Sequence, residues 1–433
     1  MSIGKKQIEV IDYSKNFINK IDKSNIKSYL SNICYFALWS ENSGYAKIKL
    51  FLNGWQYSIK YIYLLLKSFY NISLSENYEV LTNYGNSNKD KILILSWCFK
   101  NNFNKDGSIH DRYFGESSNE VKNSHWIIIS MDGYVPDNLN ENITVIKVKK
   151  NPLSILNFLN FIKVAIKKLI IYRFSFKKIF HYFNFHSSLA HIVSKVVKDE
   201  ILNKDYKVLL LPYEGQPFQL TSIAEVKKYK KNIKTIGYIH SLLTPNPCEF
   251  IFRKGSPDLI LTHGEGVSEI LKKNLSWPKD QIIFTESLRY KEDLTKKFSN
   301  MIFTPLEIHD YQIYLSEFKN ILKKSPEGYF PILKIKTHPT IDLNKDTKQL
   351  NFKNNLNNLI KIYSNRFSSK SIKSNISIFF GVTASIFEAL ESDTEEALHI
   401  CSDPIFEAHS QEIWNYLIVN RESKNSFIYR LSE

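Results

Sequence analysis

From Lys91 onward, short apolar runs that stop at polar or small residues recur along the chain. Ile92-Leu-Ile-Leu, His125-Trp-Ile-Ile-Ile, Ile143 through Val148, Lys207-Val-Leu-Leu-Leu, Lys234-Thr-Ile-Gly-Tyr-Ile and Asp258-Leu-Ile-Leu each predict a buried strand. Their connections are of the length and polarity that parallel sheets use. A helix over residues 267–274 and a break at Trp277-Pro278 follow, and residues 281–285 lead toward a second series. That series starts at Met301-Ile-Phe-Thr-Pro and passes a helix over residues 309–324. It continues with Phe-Pro-Ile-Leu-Lys-Ile-Lys-Thr-His-Pro (330–339), Ile-Phe-Phe-Gly-Val-Thr-Ala-Ser-Ile-Phe-Glu-Ala-Leu (378–390) and Ala-Leu-His-Ile (397–400). Residues 342–374 read as a polar connection with one helical patch, and the tail from Ile405 reads as helical.

Two regions depart from this alternation. Residues 26–70 are rich in aromatics, break at residues 41–44 and read as helices, so residues 1–90 are expected to form a helical extension. Residues 152–198 are helical in period and both apolar and basic, with Lys163, Lys167, Lys168 and Arg173 among Phe158, Phe161, Tyr172 and Phe174. Such a stretch fits a membrane interface, and equally an ordinary sheet-covering helix whose lysines face water. Two βα series joined near residue 290 predict an α/β architecture: one doubly wound domain over residues 91–290 and a second over 291–433, facing a cleft.

Composition narrows the classes. The 433 residues, 43% hydrophobic and 14% aromatic, suit a folded chain with more than one core. The formal charge of +15 suggests an anionic partner, although much of it is lysine in a Lys/Asn/Ile-rich composition. The basic residues are spread along the chain without a nucleic-acid-binding motif, so nucleic acid is not the expected partner. Cys34, Cys98, Cys248 and Cys401 lie far apart, which indicates neither a zinc site nor a disulfide framework. Without a signal-peptide core or a bilayer-length apolar run, a cytoplasmic protein is expected, with peripheral contact at an anionic membrane face as an option.

The candidate chemistry sits where the strands end. Three successive strands of the first series deliver Glu214, His240 and the pair His263 and Glu265, and the carboxyl ends of parallel strands share one rim. Asp111 and Arg112 lie in the polar loop after the first strand. In the second series one strand ends at His338-Pro339 and another at Gly381, Thr383 and Ser385. An imidazole, a close-approach glycine and hydroxyls before a helix make a phosphate site. Lys334 and Lys336 alternate toward the face of His338. Ser385 with Glu388 also reads as a capping box, which phosphate binding does not exclude.

With these motifs in this order, residues 91–405 resemble the GT-B glycosyltransferases. More narrowly, they resemble bacterial transferases that use CMP-activated acidic sugars: sialyltransferases, Kdo transferases, and pseudaminic- or legionaminic-type nonulosonate transferases of capsule and lipopolysaccharide. The acid-Gly motif of that group falls on Glu214-Gly215, its His-Pro motif on His338-Pro339, and its Ser/Thr motif on Thr383 and Ser385. Two departures stand out. Tyr213 occupies the place of a usual second acid, and Ala384 interrupts the Ser/Thr pair. The resemblance implies two Rossmann-like domains, with Glu214 as catalytic acid or base and His338, Pro339, Gly381, Thr383 and Ser385 on the donor nucleotide.

Asp111 would be the nucleophile if configuration is retained; His240, His263, Glu265 and Arg112 are secondary candidates. No metal and no cofactor are expected beyond the CMP-sugar donor, and the acceptor would be a glycan or glycolipid. A UDP-sugar or CDP-polyol donor is the near alternative; a membrane-associated scaffold or a nucleic-acid-binding protein is the non-enzyme one.

Overall fold

The computed structural model describes residues 2–23, 78–82, 91–148, 185–286, 298–305, 308, 310–338, 341–373 and 375–432. The chain divides into two compact units. The N-terminal unit holds Tyr13–His240 and Cys248–Lys291; the C-terminal unit holds Met1–Asp12, Ser241–Pro247 and Glu292–Glu433.

The strands of the N-terminal unit are β1 (Tyr78–Thr82), β2 (Ile92–Cys98), β3 (His110–Asp111), β4 (Glu116–Ser117), β5 (Ser124–Ser130), β6 (Ile143–Val148), β7 (Val208–Pro212), β8 (Lys234–Tyr238), β9 (Leu259–Thr262) and β10 (Ile282–Phe284). Among the described residues, eight of them form one sheet in the order β1-β6-β5-β2-β7-β8-β9-β10, and β3 and β4 form a small hairpin. All pairings from β6 to β10 are parallel, while β1 runs antiparallel on the edge. Every residue of β5 is buried, so both faces of the sheet are covered. That double burial is why the strands read as continuous apolar runs.

The helix Phe185–Asn203 buries Leu189, Ile192, Val193, Val197 and Ile201 and packs on the helix Pro217–Tyr229. A buried polar cluster pins its end. Tyr206 Oη donates to Glu200 Oε1 at 2.6 Å, Lys204 lies 3.1 Å from the same oxygen, and His125 Nε2 is 2.8 Å from Thr144 Oγ1.

The C-terminal unit contains β11 (Met301–Phe303), β12 (Lys334–Lys336), β13 (Ile376–Phe380), β14 (Glu396–Ile400), β15 (Leu417–Arg421) and β16 (Ser426–Leu431). Among the described residues these form one sheet in the order β12-β11-β13-β14-β16-β15. The first four are parallel, and β16 and β15 add on antiparallel. On β13, Phe379 stacks on Phe303 with centroids 4.8 Å apart, while Phe380 meets the edges of Phe318 and Phe352 in the opposite layer. The two covering helices, Tyr311–Lys324 and Thr347–Ile362, are capped by Asp310 and Asp346, whose carboxylates accept from Ile313 N and Gln349 N. The start of the helix Ile3–Lys23 joins this unit: buried Gln7 donates to the carbonyls of Ile405 and Ala408.

Two parallel-centred α/β sheets, each in a unit of its own, match the expected mixed α/β, Rossmann-like class. Three local expectations are corrected or left aside. The tail is not helical beyond the four residues Pro404–Glu407; it is the hairpin β15–β16. In β16, Phe427 and Tyr429 face inward while Arg430 turns out to pair with Glu396, an alternation that mixed aromatic and polar composition conceals. Tyr78–Thr82, within the expected helical extension, is a strand recruited by β6. The helices expected over residues 26–70, and the basic stretch up to residue 184, lie outside the described residues. Among the described residues no helix is long and apolar enough to cross a membrane.

Candidate active site

In the N-terminal sheet the chain passes from β2 outward to β5 and β6, then returns beside β2 at β7 and proceeds the other way to β10. The order therefore reverses between β2 and β7, and the crevice at their carboxyl ends is where ligands bind in open α/β sheets. Three of the sequence candidates converge there. Glu214 follows β7, His240 follows β8, and His240 Nε2 lies 3.3 Å from Glu214 Oε1. The imidazole is buried, whereas the carboxylate keeps 34% of its side-chain surface exposed. Solvent reaches the carboxylate and hardly the ring.

Asp111 is carried back to the rim by the β3–β4 hairpin. It is 2% exposed, and its Oδ2 accepts from Ser96 Oγ at 2.5 Å near the end of β2. Its Oδ1 accepts from the N–H groups of Tyr113 (2.8 Å) and Phe114 (2.9 Å). Burial is the largest influence on its acidity and raises its pKa; the three hydrogen bonds and the charge of His240 pull the other way. Both carboxylate oxygens thus accept hydrogen bonds from the protein, and the buried group ties the end of β2 to the loop that carries Tyr113 and Phe114. Tyr113, fixed by it, lays its ring 4.4 Å from His240, and Trp97 lies 4.6 Å from Tyr113. Sequence reasoning passed over Ser96, Trp97 and Tyr113, which sit inside or next to segments that read as strand and loop.

The other candidates of this unit stand apart in character. Arg112 is exposed, Glu265 is exposed at the first position of the helix Glu265–Lys273, and His263 is half-buried against Tyr238. Tyr213, in the place of a second acid, is wholly buried against Phe250 and Trp277. It is core, and a carboxylate there would be without water.

In the C-terminal unit the order reverses between β11 and β13, since β12 lies on one side of β11 and β13 and β14 on the other. His338 follows β12, and Gly381, Thr383 and Ser385 follow β13, so they share the carboxyl rim with β11 between them. His338 is half-buried and its carbonyl accepts from Ile341 N at 3.0 Å; Pro339 lies outside the described residues. Lys336 sets its ammonium 5.5 Å from the ring centres of Phe298 and Phe303. Gly381 has φ +65°, and an added Cβ would stand 2.7 Å from Tyr314 Oη, so only glycine fits the turn. Its carbonyl lies 2.7 Å from His399 Nε2, and burial lowers the pKa of that ring to about 4. His399 is thus neutral, with its proton on Nε2.

The expected capping box is not formed. Ala384 is the N-cap of the six-residue helix Ser385–Leu390, without a side-chain cap, and Ser385 N donates to Thr383 Oγ1 at 3.2 Å. That bond spans two residues and makes a local turn ahead of the helix, and Ser385 cannot cap because it is already inside the first turn.

Sequence reasoning also passed over Glu407, which follows β14. This buried carboxylate accepts from Ser402 N (2.7 Å), Ser402 Oγ (2.6 Å) and Tyr314 Oη (3.1 Å). Burial pushes its pKa up to about 7. A carboxyl with a raised folded pKa binds its proton more tightly in the native state, so stability falls as pH rises from about 4.5 to about 7. Glu407→Gln removes that dependence. The variant should gain up to about 3 kcal/mol over wild type at pH 8 and lose the gain by pH 4.5, read from denaturant midpoints across pH. An equal difference at every pH contradicts this.

Among the described residues no group of three or more His, Cys, Asp or Glu side chains is placed to hold a metal ion. The fold and rim define an α/β protein of two Rossmann-like units, with an acid–imidazole pair at one switch point and an imidazole and hydroxyls at the other. No protein-family model and no curated protein matches the chain. Among solved structures it is similar to a glycosyltransferase from Rickettsia africae ESF-5, at 14% identity over 72% of this chain and 79% of that one, TM-score 0.33. It is similar also to an α,α-trehalose 6-phosphate synthase from Burkholderia multivorans (8% identity, 72% and 82% covered, TM-score 0.37). A third is a variant of the wall teichoic acid polymerase TagF (11% identity, 79% and 78% covered, TM-score 0.28). TM-scores this low leave the functional reading to the residues themselves.

Proposed function

We propose that the protein is a glycosyltransferase that moves an acidic sugar from a CMP-linked donor to a hydroxyl of a surface glycan. The observation that carries the reading is the half-exposed Glu214 carboxylate held 3.3 Å from a buried imidazole at the switch point of the first sheet. In this reading Glu214 takes the acceptor hydroxyl's proton as the acceptor oxygen bonds to the anomeric carbon. The bond from that carbon to the donor phosphate breaks, and the phosphate leaves with the electron pair. His240 holds the carboxylate, and Asp111 holds the loop beside it.

The C-terminal unit is the donor unit, with His338, Gly381, Thr383 and Ser385 around the phosphate at the second switch point. His-Pro followed by the Ser/Thr strand end supports a CMP-linked nonulosonate or Kdo donor. The net charge of +15 supports anionic substrates, and with them a lipid-linked glycan acceptor met at the inner face of an anionic membrane.

Thermal shift with CMP, UDP and CDP tests the donor assignment, since a ligand that binds the folded state at a hundred times its Kd adds about 2.7 kcal/mol. CMP is expected to raise the midpoint most. A larger shift with UDP reassigns the donor to a UDP-sugar; with CDP, to a CDP-polyol.

A further inference from the structure

We propose that Gln219 is the positioning residue of this site: its side-chain amide touches no substrate and sets the direction in which Glu214 points. This rests on the reading of Glu214 as the reacting carboxylate. Gln219 lies in the first turn of the helix Pro217–Tyr229 and is 0% exposed. Its Oε1 accepts from Glu214 N and Gln216 N, both at 3.0 Å, and its Nε2 donates to Pro212 O, the last residue of β7. One buried amide therefore ties the strand end, the catalytic residue and the helix entry together.

The rest of the loop is fixed around that tie. Tyr213 N donates to Tyr238 O at 2.7 Å, which extends the β7–β8 ladder by one residue and brings Glu214 level with the end of β8. Gly215 makes the turn with φ +62°; a Cβ there would fall 1.9 Å from Glu249 O. Between these two points the main chain at Glu214 is held by its N–H alone, and the acceptor of that N–H is Gln219. His240 is fixed separately, by burial and by the ring of Tyr113. The 3.3 Å approach of Glu214 to His240 thus depends on an amide five residues away.

A purely structural cap and a positioning residue behave differently in a double-mutant cycle. Gln219→Met keeps the volume and removes all three bonds. We expect it to lower kcat of transfer by about a hundredfold with little change in donor KM, and to cause no further loss in a Glu214→Gln background. Gln219→Glu is the conservative rescue. Burial and the carbonyl of Pro212 favour its protonated form, in which its carbonyl accepts from the two N–H groups and its O–H donates to Pro212 O. It should hold transfer within about tenfold of wild type at pH 6. If Gln219→Met does not fold, a hundredfold loss in Gln219→Glu at pH 6 overturns the proposal.

A second readout does not need activity. Histidine ring resonances, with His240 assigned by His240→Asn, should shift on Glu214→Gln in the wild type and stay put on the same change in Gln219→Met. Additive losses in the cycle, or an undiminished His240 shift, overturn the positioning role. If Glu214→Gln leaves transfer intact while the His240 response still requires Gln219, the assignment of Glu214 fails and the positioning stands.

Discussion

Glu214→Gln should lower transfer by about 10²- to 10⁴-fold, the range a general base contributes, and leave nucleotide binding unchanged. The amide keeps the size of the carboxylate and can still face His240 Nε2, which approaches Glu214 Oε1 at 3.3 Å. It loses only the capacity to take a proton. Because Glu214 belongs to the N-terminal unit and the proposed phosphate contacts to the C-terminal one, the two effects separate. Initial rates with saturating donor, alongside calorimetric titration of the nucleotide, measure both. A variant that transfers at the wild-type rate would return Glu214 to the role of an ordinary ion-pair partner.

Asp111→Ala should destabilise the N-terminal unit by about 3 kcal/mol, seen as a fall of roughly 6–12 °C in its unfolding midpoint. The reason is the donors it leaves behind. Ser96 Oγ and the N–H groups of Tyr113 and Phe114 all point at this carboxylate. In a site that is 2% exposed, water does not replace it. Asp111→Asn keeps an acceptor for the N–H pair and an amide for Ser96. It should stay within about 1 kcal/mol of wild type and within about tenfold in rate. The Asn variant separates the two roles, because a nucleophile replaced by an amide loses turnover whatever its stability. Collapse of transfer in a stably folded Asp111→Asn would restore the nucleophile reading.

What the sequence disclosed follows from which forces act locally. The runs at β5 and β13 were legible because strands buried on both faces need unbroken apolar residues, and such runs have few other readings. The strand ends that deliver Glu214 and Gly381 were legible for the same reason, since a polar or small residue directly after such a run marks a rim; His338 follows the short, partly exposed Lys334–Lys336 and was marked by its His-Pro pair instead. The hairpin β15–β16 was not legible, because its stability comes from pairing with β14 and from Arg430 meeting Glu396, partners far away in sequence. β1 is likewise a strand by recruitment onto β6.

Around the candidate site, Asp111 was visible as a polar loop residue, but the donors that reach it were not, because they come from Ser96 and from main chain. Tyr213 was a motif position in the sequence and is core in three dimensions. Gln219 had one local signal, its place two residues after Pro217 at a helix start. Its three backbone partners appear only once β7 and the helix are in place.

The most direct measurement of the central claim is nucleotide release from a panel of activated sugars: CMP-linked nonulosonates and Kdo, UDP-sugars and CDP-polyols, each with and without a glycan acceptor. The account predicts CMP released from a CMP-linked acidic sugar, faster with acceptor and suppressed in Glu214→Gln. No turnover or hydrolysis of any CMP-sugar, with UDP released from a UDP-sugar at a rate indifferent to Glu214, would contradict it.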